Sequence, residues 1–151
     1  MNRIIWATGL LLIIAFSIMQ LFQPEPNKAH VTQNDIVFQV EMPSVVKTTI
    51  VNACYDCHST QTRYPWYAHI SPFSWMINSH IQAGKAKLNF SDWGGYSPGE
   101  QIDLLEEINE EVREKDMPLN TYVLFHKNAS LFSHEIEALC SWALDTADSL
   151  R

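Results

Sequence analysis

The stretch NACYDCHSTQTRYPWY, residues 52–67, carries two of the chain's three cysteines, with a histidine directly after the second. Cys54 and Cys57 are separated by two residues, and His58 is the next position. A C-x-x-C pair can hold a metal, cycle as a redox dithiol or anchor a haem. Structural zinc wants four ligands, usually two such pairs or one pair plus two spaced histidines. This chain has one pair, a distant Cys140 and histidines without finger spacing. A thioredoxin-like dithiol accompanies a βαβ pattern, which is absent from the flanking sequence. The third chemistry uses the whole pentapeptide. Each thiol adds to one vinyl group on an edge of the porphyrin, and the adjacent imidazole reaches the iron from one face. C-x-x-C-H is the signature of that linkage.

Composition sets the frame around the motif. At 151 residues the chain is one domain's worth. A net charge of −7 without a basic face excludes a nucleic-acid binder. Three cysteines are too few for a disulfide scaffold.

Toward the N-terminus, residues 4–22, IIWATGLLLIIAFSIMQLF, contain no charge. About 20 mostly apolar residues are needed to cross a bilayer as a helix. The apolar part of a cleaved signal peptide is shorter, about 7–15 residues, and ends at a small-x-small site. Here the near match Ala15-Phe16-Ser17 lies inside the apolar run. The expectation is an uncleaved anchor over residues 1–23, with a signal peptide as the alternative. Arg3 keeps the amino terminus cytoplasmic and sends the remainder across the membrane. That places the following domain across the membrane, on the side where covalent haem attachment takes place.

Residues 24–40 read as a linker, with prolines at its start and IVFQV (36–40) as extended chain packed on the domain. Residues 41–151 read as an all-α haem domain, a small cytochrome c-like helical fold. Pro43 opens a helix that sets Val46, Ile50 and Cys54 on one face. Ser71-Pro72 opens a second by N-cap and N1 logic, carrying Phe73, Met76, Ile77, His80 and Ile81. Ser97 and Glu100 have capping-box spacing for a third, with Leu105, Ile108 and Val112 inward. Ser133 caps the last, with Ile136, Leu139, Cys140 and Leu144 inward.

Given His58 as proximal ligand, the distal ligand decides the chemistry. Met117, in EKDMPLNTYVLFH, ends an acidic helix, and Pro118 stiffens the turn after it. A methionine opposite the histidine is the cytochrome c ligand set and raises the reduction potential. His126 and His80 are the alternatives. His30, His69 and His134 belong to linker or polar contexts and are expected in solvent. Tyr64, Trp66, Tyr67, Trp75, Phe90, Trp93 and Trp142 suit a haem wall as well as any small core. Cys140 is expected to pack as a small apolar side chain.

CYDCHSTQTRYPWYAHISPFSW, HIQAGKAKLNFSDW and MPLNTYVLFHKNASL followed by Trp142 together resemble the bacterial haem-binding domain family over residues 40–145. That resemblance implies a small envelope protein with one haem c, attached through Cys54 and Cys57 and ligated by His58. Met117 falls on the Met-Pro position of a distal ligand, and His80 and His126 on recurrent histidine positions. The function expected is electron transfer with envelope redox proteins, more carrier than enzyme. The alternative is a catalytic or gas-sensing haem with an open or His-ligated distal site.

Overall fold

A computed structural model describes residues 2–151; Met1, the first residue of the expected anchor, lies outside them. Helix α1, Asn2–Met19, is apolar on all sides, and none of its residues is buried. It is the one described helix long and apolar enough to cross a membrane. Such a helix has no polar face to give to water, which suits a bilayer span or a signal sequence.

All regular structure in the described residues is helical, apart from an isolated antiparallel bridge between Lys28 and Gln61. After α1 come α2 (Ile36–Gln39), α3 (Ser44–Ala53), α4 (Tyr55–His58) and α5 (Phe73–Lys87). They are followed by α6 (Pro98–Glu114), α7 (Asn120–Phe125) and α8 (Ser133–Ser149), with 3₁₀ turns at 66–69, 90–95 and 127–129. The long helices α6 and α8 pair most extensively, and α3 packs on α8. Val46 and Ile50 of α3 meet Leu105, Ile108 and Val112 of α6, and Leu139, Cys140 and Ala143 of α8, in one buried core. Phe90 and Trp93 close one side of this core. Full burial of each such side chain stabilises the fold by about 1.5–3 kcal/mol.

The expected inward stripe of α6 is buried, and its capping box is formed. Ser97 Oγ accepts from Glu100 N, and Glu100 Oε2 accepts from Ser97 N at 2.8 Å. Other helix starts differ from expectation. Ser71 does not cap α5; its hydroxyl pairs with Ser74 Oγ at 3.1 Å, and Pro72 holds the cap position. In α8 the cap position belongs to Phe132, whose N–H donates to Glu135 Oε2 at 2.8 Å, so Ser133 is already helical. Leu144 is exposed, and Ala143 and Ala147 take the inner face instead. In α5 only Ile81 of the expected apolar set is fully buried, while Phe73 and Met76 are exposed.

The segment 36–40 is a correction. Ile36–Gln39 form a short helix and only Val40 is extended, with Asp35 capping the helix by accepting from Val37 N at 3.2 Å. The preceding segment is bonded to the domain at Asn27, Ala29 and Asn34. Asn27 Nδ2 donates to Ser59 O and Thr62 Oγ1, both at 2.8 Å, and Lys85 Nζ donates to Asn27 Oδ1 at 2.6 Å.

Candidate haem site

The C-x-x-C-H segment is one helical turn set at an angle to α3. Cys54 is the break, with φ −115° and ψ −37°, and its carbonyl accepts from Cys57 N and His58 N. Positions i, i+3 and i+4 share a helix face, so one turn directs Cys54, Cys57 and His58 the same way. They face a cavity of about 510 Å³, within the range of roughly 300–1,000 Å³ usual for cofactor sites. Its walls are mainly apolar: Ile50 and Ala53 of α3, Leu104 and Ile108 of α6, Leu131, Leu139 and Phe90. Met117, Pro118, Leu119 and Tyr122 line it from the α6–α7 corner, and His80, Ala83 and Gly84 from α5.

Three features of the site hold the turn and its imidazole in place. The first is the orientation of His58. Its Nδ1 donates to Leu88 O at 3.1 Å, which leaves Nε2 as the free lone pair. Leu88 is the C-cap of α5, where carbonyls lack partners within the helix. Burial holds the imidazole below its ordinary 6.5, against the opposing pull of the Leu88 and Gly84 carbonyls and Glu107. A neutral imidazole is the form that ligates a metal.

The second is the approach of α5. A Cβ at Gly84 would lie 2.7 Å from the Cys57 carbonyl oxygen, so only glycine lets α5 lie against the cysteine turn. The third is a pair of buried carboxylates that fix the two residues between the cysteines. Tyr55 OH donates to Asp35 Oδ1 at 2.5 Å, and Ser91 Oγ donates to Asp35 Oδ2 at 3.2 Å. Asp56 accepts from Arg63 Nε at 2.9 Å, Arg63 N at 3.0 Å and Tyr122 OH at 2.6 Å. Burial, with the Asp56 hydrogen bond second, pushes the Tyr122 phenol far above its usual range, so it stays a donor.

The thiols are unlike those of a redox dithiol. Burial pushes Cys54 up to about 12, with Cys57 adding to the effect, and Cys57 up to about 11, with Asp56 adding. Reactive dithiols have depressed values instead. Among the described residues no three His, Cys, Asp or Glu side chains are grouped so as to hold a metal ion. A large apolar cavity bordered by two neutral thiols and a free imidazole nitrogen fits a porphyrin.

The distal candidates separate. Met117 and His80 line the cavity, and His126 does not. His126 turns back on its own helix, its Nδ1 donating to Tyr122 O at 3.0 Å and its ring stacked on Tyr122 at 4.1 Å. His30, His69 and His134 are exposed, and Cys140 is fully buried with its thiol 3.7 Å from Asn109 O. Of the aromatics expected as a haem wall, Phe90 alone borders the cavity; Trp93 and Trp142 are core residues. Trp142 Nε1 donates to Glu41 O at 3.0 Å, which ties α8 to the chain entering α3. Tyr122, Leu88, Gly84, Asp35 and the Asp56–Arg63 pair escape a sequence reading. Only the position of Asp56 inside the motif hinted at a role.

No curated protein and no solved structure matches the chain. A family model described as haem-binding domain matches residues 14–145, nearly the whole sequence and the entire cavity. The chain belongs to the haem-binding domain family, and the cavity beside Cys54, Cys57 and His58 is its candidate haem site.

Proposed function

We propose that the protein is a membrane-anchored, c-type electron carrier with one covalently held haem. The observation that carries this reading is the single cavity shared by Cys54, Cys57, His58 and Met117. The Cys54 and Cys57 thiols would hold the haem, each by adding S–H across a vinyl double bond, sulfur to one carbon and hydrogen to the other, with no leaving group. His58 offers Nε2 as the proximal ligand, held in that tautomer by Leu88 O. Met117 offers its thioether from the corner after α6, where Asp116 N and Met117 N both donate to Glu111 O. The haem, when bound, supplies a one-electron iron couple, and a methionine ligand sets it at high potential. The apolar walls exclude water, which limits reorganisation as the charge changes.

The apolar α1 supports a retained anchor, and Arg3 ahead of it supports a domain on the periplasmic side of the inner membrane. Anchoring confines exchange to redox proteins at that surface. His80 on the cavity wall favours a second reading, a distal site that opens for catalysis or gas sensing.

The test is absorption spectroscopy of the full chain, matured where c-type haem is attached. The expected result is a pyridine spectrum typical of two thioether links and the weak near-red band of methionine-bound ferric iron. Met117→Ala should abolish that band and lower the potential. Covalent haem without the band, unaffected by Met117→Ala, would favour His80 and the second reading. Haem lost on denaturation would refute covalent attachment.

A further inference from the structure

The chain has no Asp, Glu, Lys or Arg between Tyr64 and Gly84, although 18% of its residues are charged. At that frequency a stretch of this length would carry roughly four, and much of this one lies on the surface. Trp66 is 77% exposed, Phe73 52%, Met76 53% and Trp75 39%. Single exposed apolar residues are ordinary, but an uncharged stretch that exposes several large ones marks an interaction face.

The structure connects this face to the end of α1. Gln20 pairs with the Ser71 backbone at two points, Nε2 donating to Ser71 O at 3.2 Å and Oε1 accepting from Ser71 N at 3.0 Å. Gln23 Nε2 donates to Ser71 Oγ at 2.9 Å, and Trp75 Nε1 donates to Phe22 O at 2.5 Å. Ser71 lies between the 66–69 turn and α5, which pack on each other. The exit of the apolar helix is therefore fixed against the one long uncharged stretch of the domain.

We propose that the face formed by residues 66–76 rests in the interfacial zone of the phospholipid bilayer, as a second membrane contact of the haem domain. The proposal rests on the reading of α1 as a retained anchor. Continuity with the end of α1 identifies the occupant: a surface bonded to the last turn of a spanning helix stands at headgroup level. Trp is enriched at that level because its ring is apolar and its N–H polar. The contact is made by the exposed apolar side chains, so salt has little effect on it. The haem domain is then held in one orientation and does not swing on a free linker. Seven helical steps along α5, about 10 Å, separate Phe73 from the cavity-lining His80. The haem site thus lies close to the bilayer surface, within reach of a membrane-embedded electron donor or acceptor.

The experiment uses the haem-loaded full chain in phosphatidylcholine vesicles doped with a phospholipid that carries a photoactivatable diazirine high on its acyl chain. Adducts are mapped by peptide mass spectrometry, at low and high salt. The expected result is labelling of α1 and of residues 66–76 alike, independent of salt, with none on the outer face of α8 at Ser141 and Asp145. Phe73→Glu with Met76→Glu should lose the 66–76 adducts and keep those on α1 and the haem absorbance. Labelling confined to α1 would overturn the proposal, leave the anchor reading intact and give the face to a protein partner or a second copy. No labelling anywhere would overturn both.

Discussion

Replacing Gly84 with alanine tests the packing of α5 on the cysteine turn. In an unobstructed helix interior the change stabilises by about 0.5–1 kcal/mol, because alanine loses less backbone freedom. Here the new Cβ would lie 2.7 Å from the Cys57 carbonyl oxygen and 3.2 Å from its carbonyl carbon and Cβ. No flexible side-chain tip is available to yield, so α5 or the cysteine turn must move. Overpacking of this kind costs about 1–3 kcal/mol, and contact with backbone belongs in the upper part of that range. After the propensity gain, the net loss is about 1–2 kcal/mol. For a chain of this size that lowers Tm by roughly 2–8 °C. Gly99→Ala is the control, since nothing lies within 4 Å of a Cβ there and α6 should gain stability. Thermal unfolding of the haem-loaded chain, followed by far-ultraviolet circular dichroism, compares the two. A Tm for Gly84→Ala equal to or above that of the parent would refute the close approach. A second consequence is local: moving α5 moves Leu88, whose carbonyl orients His58.

Further substitutions probe the supports of the site and the core. Tyr122→Phe removes the 2.6 Å donor to buried Asp56 and should cost about 1.5–3 kcal/mol in urea unfolding. An unchanged midpoint would mean that Arg63 alone satisfies the carboxylate. Leu105→Ala, in the fully buried centre of α6, should cost about 2–5 kcal/mol by the same measurement. Glu100 is held below its ordinary 4.5 by the Ser97 N–H and then the Ser97 hydroxyl. A depressed carboxyl contributes stability that is fully present above its unfolded value and lost as pH falls through its folded one. Wild type should therefore exceed Glu100→Gln at neutral pH, with the gap closing below pH 4.5; a pH-independent gap would contradict the capping box.

The helical class, the haem-binding family, the apolar N-terminal helix and the α6 capping box were legible in the sequence because each depends on neighbours in the chain. A cap needs a residue three positions away, and a haem-attachment turn needs five consecutive residues. The starts of α5 and α8 were misplaced by one residue each. The serines there had the right local chemistry, but Ser71 spends its hydroxyl on Ser74, and Glu135 serves the Phe132 N–H. IVFQV read as extended because its composition suits a strand, whereas the Asp35 cap in front of it and the burial of Ile36 accompany a helical turn.

The sequence by itself determined which residues can carry the chemistry: two thiols and an imidazole on one turn, with a methionine before a proline far downstream. Only the tertiary structure decided how that turn is held and which distant groups face it. Asp35 lies 20 residues from the Tyr55 hydroxyl that it accepts from, and Tyr122 lies 66 from Asp56. That Met117 and His80 line the cavity and His126 does not is likewise decided by the packing. Contacts across such distances leave no periodic trace in the chain. They form when burial of apolar faces forces polar groups at the seams to find partners wherever the packing puts them.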